Sequence, residues 1–223
     1  MNQTCLLATL LLAAGSLTAR ANLLTGLYNT GVDSTGAVLA NGVDDPHYTV
    51  TAPSSADVAV VGNISWGSLG NDGLSQWDSP YVGSATGSQD QSAGVYKYQT
   101  TFNISGPFTS ASITGQFATD NELYDIILNG HSLGIQQLNA VGFNSFTSFS
   151  IATSADFVSG VNTLEFDVNN DSGPTGFRVE MTGNAISAPG VPDTTPTGGL
   201  LLTALVCLGW VFGRSGQRAG AAA

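Results

Sequence analysis

The most constraining feature of the chain is strict alternation of apolar and polar residues over many short stretches. Tyr96, Tyr98, Thr100 and Phe102 alternate with Lys97, Gln99 and Thr101. Ala111, Ile113, Gly115 and Phe117 alternate with Ser112, Thr114 and Gln116. Leu164, Phe166 and Val168 oppose Thr163, Glu165 and Asp167, and Phe177, Val179 and Met181 oppose Arg178 and Glu180. Side chains point to opposite faces of a strand, so period 2 gives each strand one apolar and one wet face. That is the pattern of antiparallel sheets packed on a core. Tyr124–Leu128 reads as a more buried strand ending in the turn Asn129-Gly130, and 47–51, 57–62 and 146–151 are further strand candidates. No long 3.6-residue periodicity accompanies them. About eight short strands with Gly, Asn and Asp turns between them predict an all-β fold, an antiparallel β-sandwich of jelly-roll type, over residues 22–184. Its predicted core is Phe117, Ile126, Leu128, Leu164, Phe166, Phe177 and Val179.

The ends read differently. Leu6–Leu17 is an apolar run of signal-peptide length, and Ala19-Arg20-Ala21 is an A-x-A cleavage site, so residues 1–21 are expected to leave a mature chain beginning at Asn22. Residues 185–197 form a Pro/Ser/Thr-rich linker. A sixteen-residue apolar segment, 198–213, is the expected transmembrane helix, and 214–223, with Arg214 and Arg218, the expected cytoplasmic tail.

Between residues 22 and 184, Lys97 and Arg178 face fifteen of the chain's sixteen acids. Nucleic-acid binding is excluded, because phosphate neutralisation needs Lys and Arg. Cys5 and Cys207 are the only cysteines and lie in the end segments, so no disulfide and no thiol chemistry belongs to the middle. The only histidines, His47 and His131, sit beside Pro46 and the turn Asn129-Gly130. No Gly-x-Ser-x-Gly elbow or zinc spacing supports an enzyme. The acids leave room for bound Ca2+: Asp44-Asp45, Asp72, Asp78 and Asp120-Asn121 read as loop oxygens, or equally as turn formers, and no metal site is assigned.

The stretch 62–94 is long, Gly/Ser/Asp/Gln-rich and nearly aperiodic, which in a compact domain points to function or disorder. It carries Trp66, Trp77 and Tyr81. Exposed, these rings would stack on sugar rings, and they are the expected ligand-binding residues. Buried, they would anchor the loop to the core.

The tail Val191-Pro192-Asp193-Thr194-Thr195-Pro196-Thr197, followed by the apolar segment and arginines, resembles the PEP-CTERM class of bacterial sorting domains in its Val-Pro-Asp form. That resemblance implies an exosortase-type membrane enzyme as partner, with Val191, Pro192 and Asp193 as the sorting motif. It also implies a cell-surface or extracellular-matrix destination after transient anchoring in the inner membrane. The segments Leu27–Asp33, Asp45–Tyr48, Ala118–Asn121, Ile127–Gly130 and Gly160–Leu164 resemble galactose-binding-like jelly rolls. Together these readings lead to a non-enzymatic exported protein making carbohydrate or adhesive contacts, with extracellular polysaccharide as the partner. A purely structural surface protein is the alternative, and a secreted hydrolase the third reading.

Overall fold

The computed structural model describes residues 22–53, 56–61, 66, 69–80, 90–152 and 155–188. The expected signal peptide with Ala19 and Ala21, the sorting motif Val191-Pro192-Asp193, the apolar segment 198–213, the tail 214–223 and Tyr81 lie outside the described residues. Among the described residues no helix is long and apolar enough to cross a membrane.

The described chain is all-β, and its strands pair antiparallel throughout. In order they are β1 (Leu24–Thr25), β2 (Asp44–Val50), β3 (Ala56–Val61), β4 (Trp77–Ser79), β5 (Asp90–Gln91), β6 (Gly94–Ile104) and β7 (Phe108–Asp120). Then come β8 (Glu122–Leu128), β9 (His131–Ser132), β10 (Thr147–Ile151), β11 (Gly160–Asn170), β12 (Gly173–Pro174) and β13 (Gly176–Ser187). Every strand expected from alternation is present. β13 runs to Ser187, three residues past the boundary expected at Asn184, because Ala185 continues the inward register and is fully buried.

One sheet runs β10-β7-β13-β4-β3-β2-β6-β11-β8-β9, with β1 added to β6, and β5 and β12 form a separate ribbon. The large sheet folds over on itself. β10, β7 and β13 make one layer, β6, β11 and β8 the other, and β4-β3-β2 joins them. Inward side chains of the two layers meet as rings: Phe149 against Phe166 at 6.1 Å, Phe166 against Phe177 at 4.6 Å, and Tyr98 against Phe177 at 5.1 Å. All seven predicted core residues are buried to 1% exposure or less. Replacing one of these phenylalanines by alanine would cost about 3–5 kcal/mol through lost transfer energy and the cavity left behind.

The stretches that resemble known jelly rolls are joined to one another by structural hydrogen bonds. Asn129 and Gly130 take φ of 52° and 83°, the positive values a two-residue hairpin turn of this hand requires. The Asn129 amide donates to Asn162 Oδ1 at 2.8 Å and accepts from the Thr163 N–H at 2.8 Å, so Asn129-Gly130 is tied to Gly160–Leu164. Leu27–Asp33 is held on Asp45–Tyr48 in the same way. The Tyr28 and His47 rings stack at 3.7 Å, the Tyr48 hydroxyl donates to the Tyr28 carbonyl at 2.7 Å, and Gly31 N–H donates to Asp45 at 2.6 Å.

Candidate functional site

Outward residues of β10, β7 and β13 make the second face of their layer, and two different things happen on it. Its upper part is covered. Trp66 and residues 69–79 lie over it, and Trp66 and Trp77 stack on each other with centroids 4.4 Å apart. They pack with Ala118, Leu69, Phe143 and Phe146 as a second apolar cluster. Trp66 donates its indole N–H to Asp120 at 2.8 Å and Trp77 donates to the Leu69 carbonyl at 2.7 Å. Gly176 lies beneath Trp66, where a Cβ would stand only 2.5 Å from the ring, so the close approach needs glycine.

This corrects the expectation of an aromatic binding platform at Trp66 and Trp77. Their exposures are 1% and 0%, leaving neither with a face for a sugar. Two indoles in a polar stretch carry more apolar area than the stretch itself can hide, and the neighbouring wet face is the surface on which they bury it.

Arg178 departs from its sequence pattern for the same reason. Alternation places it on the wet face, yet it is 0% exposed. Its guanidinium is enclosed by Asp72 at 2.8 Å, Glu180 at 3.3 Å, Ser75 Oγ at 2.7 Å and the Gly70 carbonyl at 2.5 Å, and it lies 4.9 Å from the Phe146 ring centre. A five-donor planar fork is the side chain able to satisfy so many acceptors at once. Burial pushes the Asp72 carboxyl up, but the N–H groups of Leu74 and Ser75 and the Arg178 charge outweigh it and hold Asp72 below the usual carboxylate range.

The lower part of the same face stays open as a groove of about 550 Å3. Thr114 and Gln116 of β7, Glu180 and Thr182 of β13 and Ser148 of β10 supply its polar lining. Leu74, 63% exposed, stands on the rim beside Asn29, while the side chains of Phe149 and Met181, turned inward by the register, pack on the core beneath. Asn29 fastens that rim, donating to the Leu74 carbonyl at 3.0 Å and accepting from Met181 N–H at 2.8 Å. Gly115 lets β7 and β13 approach closely, since a Cβ there would meet the Glu180 carbonyl and Met181. Glu180 takes hydrogen bonds from Ser75 and Gln116, each at 2.8 Å, besides its contact with Arg178, so its charge is offset where it meets the groove.

The other residues singled out from sequence do not join this groove. Asp72 is engaged by Arg178, and Asp45 accepts the N–H groups of Gly31 and His47. Asp78, expected in a loop, lies in β4 and is fully buried. Asp120 receives the Trp66 indole; burial raises its carboxyl to about 6 despite that bond, helped by the charges of Asp171 and Glu122. Among the described residues no group of three or more His, Cys, Asp and Glu is gathered as a metal would require. His131 is exposed, 4.0 Å from Asp156. Sequence reading missed the groove, because it is made by what Trp66 and residues 69–79 leave uncovered. Thr114 and Gln116 alone look like any strand exterior.

No family model matches the chain, and no curated protein matches it. Among solved structures it is similar to the CBM35 from Paenibacillus barcinonensis, at 17% identity over 61% of this chain and 93% of that one, with a TM-score of 0.35. It is also similar to a family 35 carbohydrate binding module from an environmental isolate, at 8% identity over 76% and 95%, TM-score 0.29. A third is the CBM36-1 domain of a multidomain xylanase from the hindgut metagenome of Trinervitermes trinervoides, at 17% over 51% and 87%, TM-score 0.28. At these TM-scores the likenesses fix neither a fold family nor a ligand.

Proposed function

We propose that this chain is a non-enzymatic, exported glycan-contacting protein whose β-sandwich, a galactose-binding-like jelly roll, engages extracellular polysaccharide through the groove over β10, β7 and β13. The observation that carries the reading is the lining of that groove. Hydroxyls of Thr114, Thr182 and Ser148 and the Gln116 amide can exchange hydrogen bonds with sugar hydroxyls. Leu74, 63% exposed on the rim, offers an apolar edge to the C–H face of a sugar ring. Glu180 fits binding better than catalysis: hydrolysis of a glycosidic bond asks for two carboxyl groups facing the bond, and Glu180 is held by Arg178, Ser75 and Gln116. Weak, multivalent contact with a repeating polymer suits so open a surface.

The test is calorimetric titration and polysaccharide pull-down with the parent and with Thr114→Trp, which fills the groove from an outward position. Binding to a soluble polysaccharide that the variant loses, at unchanged stability, supports the reading. Absence of binding across a panel of neutral and acidic polysaccharides leaves the purely structural surface protein as the better account.

Export and sorting complete the proposal and rest on the sequence of the tail. Proline fixes φ and disfavours helix just before it, so the sequence at Pro192 and Pro196 predicts an extended strip, a form a membrane protease could take into its cleft, with Asp193 as its mark. At about 1.5 Å rise per residue, a helix over the sixteen residues of 198–213 would reach short of a ~30 Å hydrocarbon core, which would suit transient anchoring. In a host with the matching exosortase, intact-mass analysis should find released protein ending near Pro192–Thr195. A Pro192→Ala/Asp193→Ala version should stay full-length and membrane-bound. Equal processing of the two would make the tail an ordinary anchor.

A further inference from the structure

The open part of the groove has a regular floor. Register sets its outward residues in two rows across β10, β7 and β13. Ser148, Gln116 and Glu180 make one row, and Ser150, Thr114 and Thr182 the next. All but one carry a hydroxyl or an amide, which exchange hydrogen bonds with sugar hydroxyls and leave no charge to neutralise. The exception is a carboxylate. Glu180 accepts from Ser75 and Gln116 and meets Arg178 at 3.3 Å.

An acidic sugar entering the groove would want a cation, and β13 carries one on this face, Arg178. That side chain is 0% exposed, and its donors go to Ser75 Oγ, the Gly70 carbonyl, Asp72 and Glu180. Lys97 belongs to β6 in the opposite layer, where it is bound to Glu165 at 2.7 Å and Asp167 at 3.1 Å. The sequence holds no other Lys or Arg between residues 22 and 184, against fifteen acids. A carboxylate or sulfate in the groove would therefore shed water without gaining an ion pair. It would do so beside Glu180 and in the field of an acidic domain.

We propose that the groove takes uncharged, hydroxyl-rich sugar residues and excludes uronate- and sulfate-bearing ones, so that the polysaccharide it engages is a neutral polymer. This deepens the function proposed above and rests on it. The selectivity comes from where Arg178 is spent. A guanidinium on an open strand face is a ready bidentate anchor for a carboxylate. Here Asp72, Ser75 and Gly70 of the covering strip occupy it, so the contact that fastens the strip to β13 also withholds the cation from the ligand.

The experiment uses the purified full-length chain and matched probes. Dextran, galactomannan and a mixed-linkage β-glucan are each titrated beside a carboxymethylated form of the same backbone, at low and at high salt. Ser148→Lys places a cation in the groove two strands away from Glu180, and Ser148→Gln is its neutral control; Ser148 is exposed, and unfolding midpoints of both variants are compared with the parent first. A neutral polymer should bind the parent, and its carboxymethylated form should bind about fivefold or more weakly at low salt, the gap narrowing as salt screens the charges. Ser148→Lys should gain affinity for the carboxymethylated form, and Ser148→Gln should not. Should Ser148→Lys fail to fold, the salt dependence of the parent decides alone. Equal or tighter binding of the carboxymethylated form by the parent overturns the proposal and leaves the groove a glycan site. A gap that persists at high salt, or that Ser148→Lys leaves unchanged, also overturns it, since exclusion would then be a matter of shape. Binding of none of these polymers removes the glycan reading and this proposal with it.

Discussion

Replacing Arg178 by methionine separates a buried ionic network from mere surface charge. Methionine keeps an apolar side chain and removes the guanidinium, together with its place over the Phe146 ring. Two carboxylates lose their partner, with different consequences. Asp72 is 48% exposed at its side chain, so water takes over and its share is about 0–1 kcal/mol. Glu180 is only 14% exposed and keeps hydrogen bonds from Ser75 and Gln116 but no positive charge. Removing one partner of such a pair costs about 3–5 kcal/mol, most of it the penalty of the charge left behind. The Gly70 carbonyl and Ser75 hydroxyl lose donors as well, so the upper half of that range is expected. Urea unfolding at pH 7, followed by the fluorescence of the buried Trp66 and Trp77, measures the loss. If stranded charge is the cause, Glu180→Gln in the Arg178→Met background recovers about 2 kcal/mol or more, a coupling typical of residues in one network. A single variant within about 1 kcal/mol of the parent, or a double variant whose loss is the sum of the two singles, would refute the reasoning.

Two further outcomes follow from the same covered face. Trp77→Ala should lower stability by about 3–5 kcal/mol, as truncation of a large buried aromatic does; unchanged unfolding together with lost polysaccharide binding would restore the exposed-platform reading of that ring. Asp120 should titrate with a midpoint about 6 in carboxyl NMR. Because the folded state holds that proton more tightly than the unfolded one, the stability contributed by Asp120 should fall as pH rises from about 4 to 6 and then level, and Asp120→Asn should remove that part of the slope; a midpoint near 4 would contradict the burial seen here.

The strands and core were legible because period 2 is set by backbone geometry and needs no knowledge of what lies across the sheet. Phe117, Phe166, Phe177 and Val179 are inward by register alone and are buried. Register says only which face a residue takes, not what later covers that face. Arg178 and Glu180 alternate correctly with Phe177 and Val179, yet a segment a hundred residues earlier closes over Arg178 and leaves Glu180 at the edge of a groove. One hint was in the composition. With only Lys97 and Arg178 set against fifteen acids, a basic residue in this domain has acids enough to surround it, and Lys97 likewise bonds two, Glu165 and Asp167.

The 66–79 segment also shows why a loop can hold function without displaying its most conspicuous residues. Its tryptophans are the fastening, and what they fasten is a strip that ends at Leu74. Moving that strip across β7 and β13 would open or close the space above Thr114, Gln116 and Thr182 without altering a strand. Three separate ties hold it in place: the Trp66–Trp77 stack on Gly176 and Ala118, the Arg178 fork on Gly70, Asp72 and Ser75, and the Asn29 bond to the Leu74 carbonyl. The three differ in kind. The stack is apolar but its Trp66 indole is tied to Asp120, whose carboxyl is raised to about 6, the fork weakens as acid protonates Asp72, and the Asn29 bond carries no titratable group. Because the ties differ in kind, no single change of salt or pH releases the strip altogether.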